Sequence, residues 1–152
     1  MTIRFAQESD VDKFVALGRR YHEITRFRRL AYEPQRVAQS LHALLANPHG
    51  THCWPVAEGG NGEPVGGLIG CVESHIFSSL PVASIVHFDV LPERRMGGHG
   101  LRLLRAFEKW AANRGVAEIC FGTNSGAASE RVGRFARKVG YEQVGENYVL
   151  AR

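Results

Sequence analysis

The residues best suited to chemistry follow Pro92, where two arginines and three glycines separate an apolar strand-like segment from an apolar helix. Cations are unfavourable at a helix N-terminus, whose dipole is positive, unless an anion lies among them. Glycines allow backbone N–H groups to converge on a ligand. The order of Arg95, Gly98 and Gly100 therefore predicts an anion-binding loop, and a pyrophosphate is the anion that we expect there.

Two common phosphate-binding motifs do not fit this loop. The dinucleotide fingerprint G-x-G-x-x-G requires a glycine where the chain has Leu103, and the P-loop requires a Gly-Lys-Ser/Thr sequence that the chain lacks. The loop is therefore predicted to bind its anion in a different way.

His87 is the first candidate for a general base. Imidazole has an ordinary pKa of about 6.5, and His87 lies on the strand that leads into the loop. In a regular strand Asp89 points the same way and could orient His87, whereas Ser84 points to the opposite face. The alternatives are a half-buried histidine with a structural role, and an Asp89 carboxylate that simply meets an arginine.

The composition is that of an ordinary globular chain. With 152 residues, 44% hydrophobic and 22% charged, we expect one domain over residues 1–152. No apolar run is long enough to span a membrane and the start lacks a signal-peptide core, so a cytoplasmic location is expected. The net charge of +4 favours an anionic ligand. The three cysteines have no metal-ligand spacing and are expected to be buried free thiols, with no metal bound.

Residue periodicity predicts where the helices and strands lie. Helices are predicted over residues 8–24, 34–48, 101–113 and 129–140. Strands are predicted at 2–6, on both sides of a turn at 59–64, at 83–91 and 116–122, and in two closing segments at 141–145 and 147–151. This order predicts a largely antiparallel sheet with helices on both faces and one strand-helix-strand crossover.

The segment VLPERRMGGHGLRLL, preceded by IVHFD, resembles the acetyl-CoA-binding core of the GNAT N-acetyltransferase superfamily. That family's pattern is V-x-P-x-x-[QR]-x-x-G-x-[GA] followed by an apolar helix. Arg95, Gly98 and Gly100 occupy the three defining positions, and Val90 and Pro92 fit the end of the strand. The segments IRFAQESDVDKFVALG, VAEGGNGEPVGGLIGCV and FARKVGYEQVG extend the resemblance over nearly the whole chain.

The resemblance implies both a fold and a co-substrate. The fold is mixed α/β (α+β), with a mostly antiparallel sheet that is flanked by about four helices and splayed between strands 83–91 and 116–122. The co-substrate is acetyl-CoA, with its pyrophosphate on the N–H groups of residues 95–101 and its pantetheine arm along residues 88–90. The residues expected to bind it are Phe88, Asp89, Val90, Arg95, Met96, Gly97, Gly98, His99, Gly100, Leu101 and Phe135.

The sequence departs from the family at the proton donor. Ala136 stands where the family commonly has a tyrosine that protonates the departing thiolate, and Ser129 stands where an asparagine is frequent. Tyr141 or Tyr148, on the closing strands, could replace the missing acid, with core packing as the alternative role. A thiol of pKa about 8.5 also leaves tolerably well without an acid. The expected catalytic residues are His87 and Tyr148.

A basic segment separates the first two helices. In the family this connection borders the acceptor site, so Arg26, Arg28 and Arg29 imply an acidic or carboxylate-bearing substrate, unless they form only a solvated loop.

The expected function is acetyl-CoA-dependent N-acetylation of a primary amine on a small molecule or peptide, by direct transfer. One alternative, suggested by Ala136, is a GNAT scaffold that binds acyl-CoA without turnover. Another is a basic nucleic-acid-binding domain, which only the net charge supports, since no recognisable module is present. The sequence does not specify the acceptor and leaves a homodimer open, and no membrane partner is expected.

Overall fold

A computed structural model of the chain describes residues 2–152. Its elements are β1 (Thr2–Phe5), α1 (Val11–Glu23), α2 (Pro34–Ala46), β2 (His52–Cys53), β3 (Pro55–Glu58), β4 (Pro64–His75), β5 (Ser78–Val90), α3 (His99–Ala112), β6 (Ile119–Cys120) and α4 (Ser129–Lys138). Short 3-10 helices cover Glu8–Asp10, Arg26–Arg29 and Pro92–Gly97. No helix within residues 2–152 is both long enough and apolar enough to cross a membrane.

The strands form one six-stranded sheet. The order is β1-β3-β4-β5-β6, and β2 also pairs with β4. Every pair is antiparallel except β5 with β6. The predicted fold class, a mostly antiparallel sheet flanked by four helices, is therefore confirmed.

Each face of the sheet carries its own hydrophobic cluster. On one face, α3 packs Leu104 and Phe107 against the sheet, both fully buried. Phe107 lies so close to β4 that a Cβ at Gly70 would be 2.1 Å from its ring, so this position requires glycine. On the other face, α1 and α2 pack Phe14 and Leu41 around Trp54. The apolar faces of α1, α2 and α3 thus pack against the two faces of the sheet and bury it between the helices.

A β-bulge at Val86 decides which way the end of β5 faces. His87 pairs with Ile69 and Ile85 pairs with Gly70, so Val86 is an extra residue in β5. An extra residue reverses the alternation of side chains. As a result His87 lies on the same face as Ser84, towards α1 and α2. The prediction that these two side chains point to opposite faces is wrong, because it assumed an unbroken strand.

The sheet splays after the bulge. β5 pairs with β6 only at Ala83 with Ile119 and at Ser84 with Cys120. In the described part of the chain, no strand pairs with the last part of β5 on that edge, and a groove opens there. The predicted splay is confirmed, and the divergence explains why β6 is shorter than the predicted strand at 116–122.

The two predicted closing strands are not formed, since residues 141–152 contain no helix or strand. The alternating apolar residues that predicted them are largely exposed, with Val144 at 94% and Leu150 at 78%. A strand needs a partner edge, and β6 offers only two paired residues. β6 is consequently an edge strand whose Cys120 is exposed.

The expectation of buried thiols is therefore correct for only one of the three cysteines. Cys53 is buried, Cys71 is half-buried and Cys120 is exposed, and all three are free. Burial raises the pKa of the Cys53 thiol to about 12.

Candidate active site

The splay between β5 and β6 forms a groove of 460 Å³, which we call the split-strand groove. Three aromatic rings lie along it: Phe88 is 5.7 Å from Phe121 and 6.5 Å from Phe135 between ring centroids. Nine of the eleven residues predicted to bind the co-substrate line this groove, and these are Phe88, Asp89, Val90, Arg95, Met96, Gly98, Gly100, Leu101 and Phe135.

Gly97 and His99 are the two that the structure does not bring to the groove. The His99 side chain is only 6% exposed and lies under the loop, where a Cβ at Gly97 would be 3.0 Å from its ring. Its Nδ1 atom has no hydrogen-bond partner within residues 2–152. The helical turn directs this side chain inward, which spacing along the loop did not reveal.

The loop after β5 leads into the N-terminus of α3, whose first backbone N–H groups have no partner inside that helix. Gly98 has φ 75° and ψ 3°, a left-handed conformation that ends the 3-10 helix and starts α3. The first helical bond runs from Arg102 N to Gly98 O, at 3.2 Å. The three preceding N–H groups, at residues 99–101, therefore have no partner within α3. With the dipole of a 14-residue helix behind them, these N–H groups have the geometry and the polarity that suit an anion.

Arg95 fastens this loop to the end of β5. Its Nε donates to the Val90 carbonyl at 2.9 Å, and its Nη2 donates to Asp89 Oδ1 at 3.3 Å. Burial raises the pKa of the Asp89 carboxyl, and the Arg95 guanidinium opposes that rise. Asp89 thus pairs with an arginine, and the hypothesis that it orients His87 finds no hydrogen bond to support it.

The end of β5 also has an open backbone edge. Leu91 donates its N–H to the Val65 carbonyl of β4 at 2.9 Å. Backbone groups alternate along an antiparallel strand, so Phe88 and Val90 direct theirs away from β4, towards the groove. The Val90 carbonyl accepts from Arg95, so the open groups are the Val90 N–H and both backbone groups of Phe88. An extended ligand in the groove would find strand-like hydrogen-bonding partners there.

His87 lies where the groove meets a second cavity. Its ring makes an edge-to-face contact with Tyr21, with centroids 4.7 Å apart. Burial lowers its pKa from 6.5 to about 4. The sequence predicted an ordinary histidine pKa, whereas the structure gives a neutral imidazole at pH 7 that is a weaker base.

Tyr21 is a site residue that the sequence analysis missed. It comes from α1 and lines both the groove and the second cavity. Burial raises the pKa of its phenol, and the neighbouring Ser125 hydroxyl opposes that rise. The Tyr21 hydroxyl therefore keeps its proton at neutral pH. Its spacing along α1 is that of a core residue, so no sequence signal separated the two roles.

The proposed replacement acids do not reach the groove. Tyr148 is 87% exposed and hydrogen-bonds with Glu146, because the strand that was to carry it is not formed. Tyr141 donates to Glu108 Oε1 at 3.2 Å and packs against Phe121. Ala136 does not line the groove either. The catalytic role of Tyr148 stays a prediction that this geometry does not support.

The basic segment after α1 borders the second cavity through its aromatic residue. Phe27 lines that cavity, whereas Arg26, Arg28 and Arg29 do not. Arg26 lies over the Phe27 ring, 4.6 Å from its centroid, and donates to the Asn124 carbonyl. The expected arginine contacts to an acidic acceptor are therefore absent from this cavity. Within residues 2–152, no group of three or more His, Cys, Asp or Glu side chains is placed to hold a metal ion.

A family comparison identifies the class of protein that this fold and groove define. Residues 17–141 match the model of the Acetyltransferase (GNAT) family, and the chain belongs to that family. No curated protein gives a significant match.

Solved structures share the whole fold at low sequence identity. A transcriptional regulator from Bacillus halodurans C-125 has a TM-score of 0.82 and 22% identity, covering 99% of both chains. An aminoglycoside acetyltransferase from an uncultured soil metagenomic sample, in complex with sisomicin, has a TM-score of 0.73 and 23% identity, covering 99% of this chain and 96% of that one. AAC(6')-Iy, in complex with a bisubstrate analogue of CoA and acetylneamine, has a TM-score of 0.78 and 17% identity, with coverages of 99% and 96%. These likenesses show the fold.

Proposed function

We propose that this chain is an acetyl-CoA-dependent N-acetyltransferase that transfers the acetyl group directly to a primary amine. The observation that carries the proposal is the junction of two cavities. The split-strand groove and a second cavity of 430 Å³ share Tyr21, Val86, His87 and Asp89 as a common wall. Direct transfer needs donor and acceptor side by side, and this wall is where two ligands would meet.

The residues of the groove fit coenzyme A. The N–H groups of residues 99–101 offer donors for a pyrophosphate, and the open edge at Phe88 and Val90 offers partners for an amide-bearing arm. Met96 is 91% exposed and Leu101 41% exposed at the rim, where an apolar ligand would cover them. When bound, acetyl-CoA supplies a thioester carbonyl that a neutral amine can attack.

His87 is the proposed acceptor of the amine's proton. With a pKa lowered to about 4, it cannot deprotonate an alkylammonium in advance, so the amine must arrive neutral. No side chain within residues 2–152 hydrogen-bonds with its ring, so a ring nitrogen is available to take the proton as the new bond forms. The backbone N–H of Val90 is a donor for the carbonyl oxygen. The Tyr21 hydroxyl is the proposed proton source for the departing sulfur.

The test is release of free thiol from acetyl-CoA across a panel of primary amines, with the acetylated product confirmed by mass spectrometry. We expect amine-dependent release that falls at least about tenfold in His87→Ala, while coenzyme A affinity stays within about twofold. If His87→Ala lowered coenzyme A affinity by the same factor as turnover, His87 would instead have a role in binding coenzyme A. No thiol release with any amine would refute the proposal.

A second candidate is a GNAT scaffold that binds acyl-CoA without turnover. Ala136 favours it, because the usual proton donor is missing and Tyr148 does not reach the groove. Tight coenzyme A binding without thiol release for any amine would support this candidate over the first.

A further inference from the structure

The second cavity, which we call the acceptor cavity, lies between α1, α2 and the sheet. Its 430 Å³ falls within the range of about 300–1,000 Å³ that small-molecule pockets occupy. Apolar side chains form most of its wall, and these include Phe14, Leu17, Phe27, Val37, Leu41 and Ile69. An apolar ligand that fills this cavity would leave water and contact apolar side chains on most sides.

The polar side chains of this cavity mostly have protein partners already. Tyr32 donates its hydroxyl to the Val15 carbonyl, and His22 Nε2 contacts the Leu30 carbonyl at 2.8 Å. Asp89 is paired with Arg95. Among residues 2–152, the polar side chains of this wall that form no hydrogen bond are Tyr21 and His87, both at the end that touches the groove.

The charges of the wall restrict what can bind. Asp89 is the one carboxylate among the described residues that line the cavity, so a polycation would bury several ammonium groups against a single, already paired acid. No lysine or arginine among residues 2–152 lines the cavity, so a carboxylate would be buried without a cation. Burying an unpaired charge is strongly unfavourable.

We infer that the acceptor is a lipophilic monoamine: a single primary amine that meets His87, carried on an apolar body that fills the acceptor cavity. This inference rests on the proposed function, because it names the acceptor of that same site. It separates this chain from an enzyme for polycationic aminoglycosides and from one for acidic amines.

A matched set of three amines tests the inference in wild-type protein. Phenethylamine carries one amine on an aromatic body, phenylalanine adds a carboxylate, and 4-(aminomethyl)phenethylamine adds a second ammonium. We expect kcat/KM for phenethylamine to exceed that of each charged relative by about 100-fold or more, because each extra charge is buried unpaired. Neamine should be a poorer substrate still. Equal or faster reaction of the acid, the diamine or neamine would overturn the inference while leaving acetyl transfer intact.

A pair of variants places the selectivity in this cavity. Val37→Glu adds a carboxylate to its wall near the start of α2, and Val37→Gln adds the same volume without the charge. We expect Val37→Glu to raise the diamine-to-phenethylamine ratio of kcat/KM at least about tenfold over Val37→Gln. An unchanged ratio in folded Val37→Glu would overturn the assignment to this cavity. If Val37→Glu fails to fold, the wild-type amine series still decides.

A binding measurement distinguishes failure of this inference from failure of the proposed function. If no amine releases thiol, the proposed function fails, and calorimetry on the protein with coenzyme A present then measures phenethylamine against phenylalanine. Preferential binding of phenethylamine would support the cavity's ligand class without transfer, and equal or absent binding would overturn it.

Discussion

The pKa of His87 offers the sharpest test of how this site is built. Its imidazolium form would lose water on entering the space between Tyr21 and the sheet, so burial lowers the pKa from 6.5 to about 4. Between these values the unfolded chain binds a proton that the folded chain does not. Stability is therefore lost as the pH falls from 6.5 towards 4, by about 3 kcal/mol at about 1.4 kcal/mol for each pKa unit.

The assay compares urea unfolding of the wild type with that of His87→Gln at several pH values. Glutamine keeps much of the volume and the hydrogen-bonding capacity but does not titrate. The wild-type stability minus the variant stability should decrease by about 3 kcal/mol between neutral pH and pH of about 4. The subtraction removes the contributions of His99 and the carboxylates, which both proteins share. An NMR titration of the His87 ring proton measures the same pKa directly.

Two results would contradict this reasoning. One is a stability difference that does not change with pH, and the other is an imidazole titration midpoint near 6.5. The kinetic consequence can be checked as well: kcat/KM should keep rising through pH 6.5 without a break, because the neutral fraction of the amine limits the rate.

Three further predictions concern the loop, the proton donor and the first strand. Gly98→Ala should destabilise the protein by about 1 kcal/mol, because residue 98 has a left-handed φ of 75°. Gly98→Asp should be no less stable than Gly98→Ala in thermal melts. In calorimetry, Gly98→Asp should bind coenzyme A far more weakly than Gly98→Ala. Equal coenzyme A affinity in the two variants would argue against an anion at this helix end. Tyr21→Phe should lower kcat at least about tenfold with unchanged coenzyme A affinity, and a wild-type kcat would remove Tyr21 from the chemistry. Asp10→Asn should lower the free energy of unfolding by about 2 kcal/mol, because the 1% exposed carboxylate accepts two bonds from Arg4, at 2.7 and 2.9 Å. A loss below about 0.5 kcal/mol would mean that this pair behaves as a surface salt bridge.

The local parts of the site could be predicted from the sequence. The proposed anion-binding loop depends on residues that are adjacent in the chain. A proline, an arginine and two glycines determine its backbone conformation and place it directly before α3. The four helices were predicted for the same reason, because a helix repeats its apolar positions every three to four residues.

The parts that depend on distant partners could not. The bulge at Val86 is a shift in the pairing register between β4 and β5, and no residue type in the sequence indicates it. The segment at 141–152 alternates like a strand but has too little edge to pair with. Tyr21 has the spacing of a core residue, and only the fold brings it against His87.

By itself, the sequence determined the family resemblance, the class of fold and the position of the proposed anion-binding loop, because each depends on periodicity or on residues that are adjacent in the chain. The tertiary structure alone decided that His87 faces the acceptor cavity, that its pKa is lowered and that the basic segment contributes Phe27 rather than its arginines to the wall. The physical reason is that burial and charge pairing depend on which residues lie close together in three dimensions. They arise when α1, α2 and the end of β5 close around the same volume.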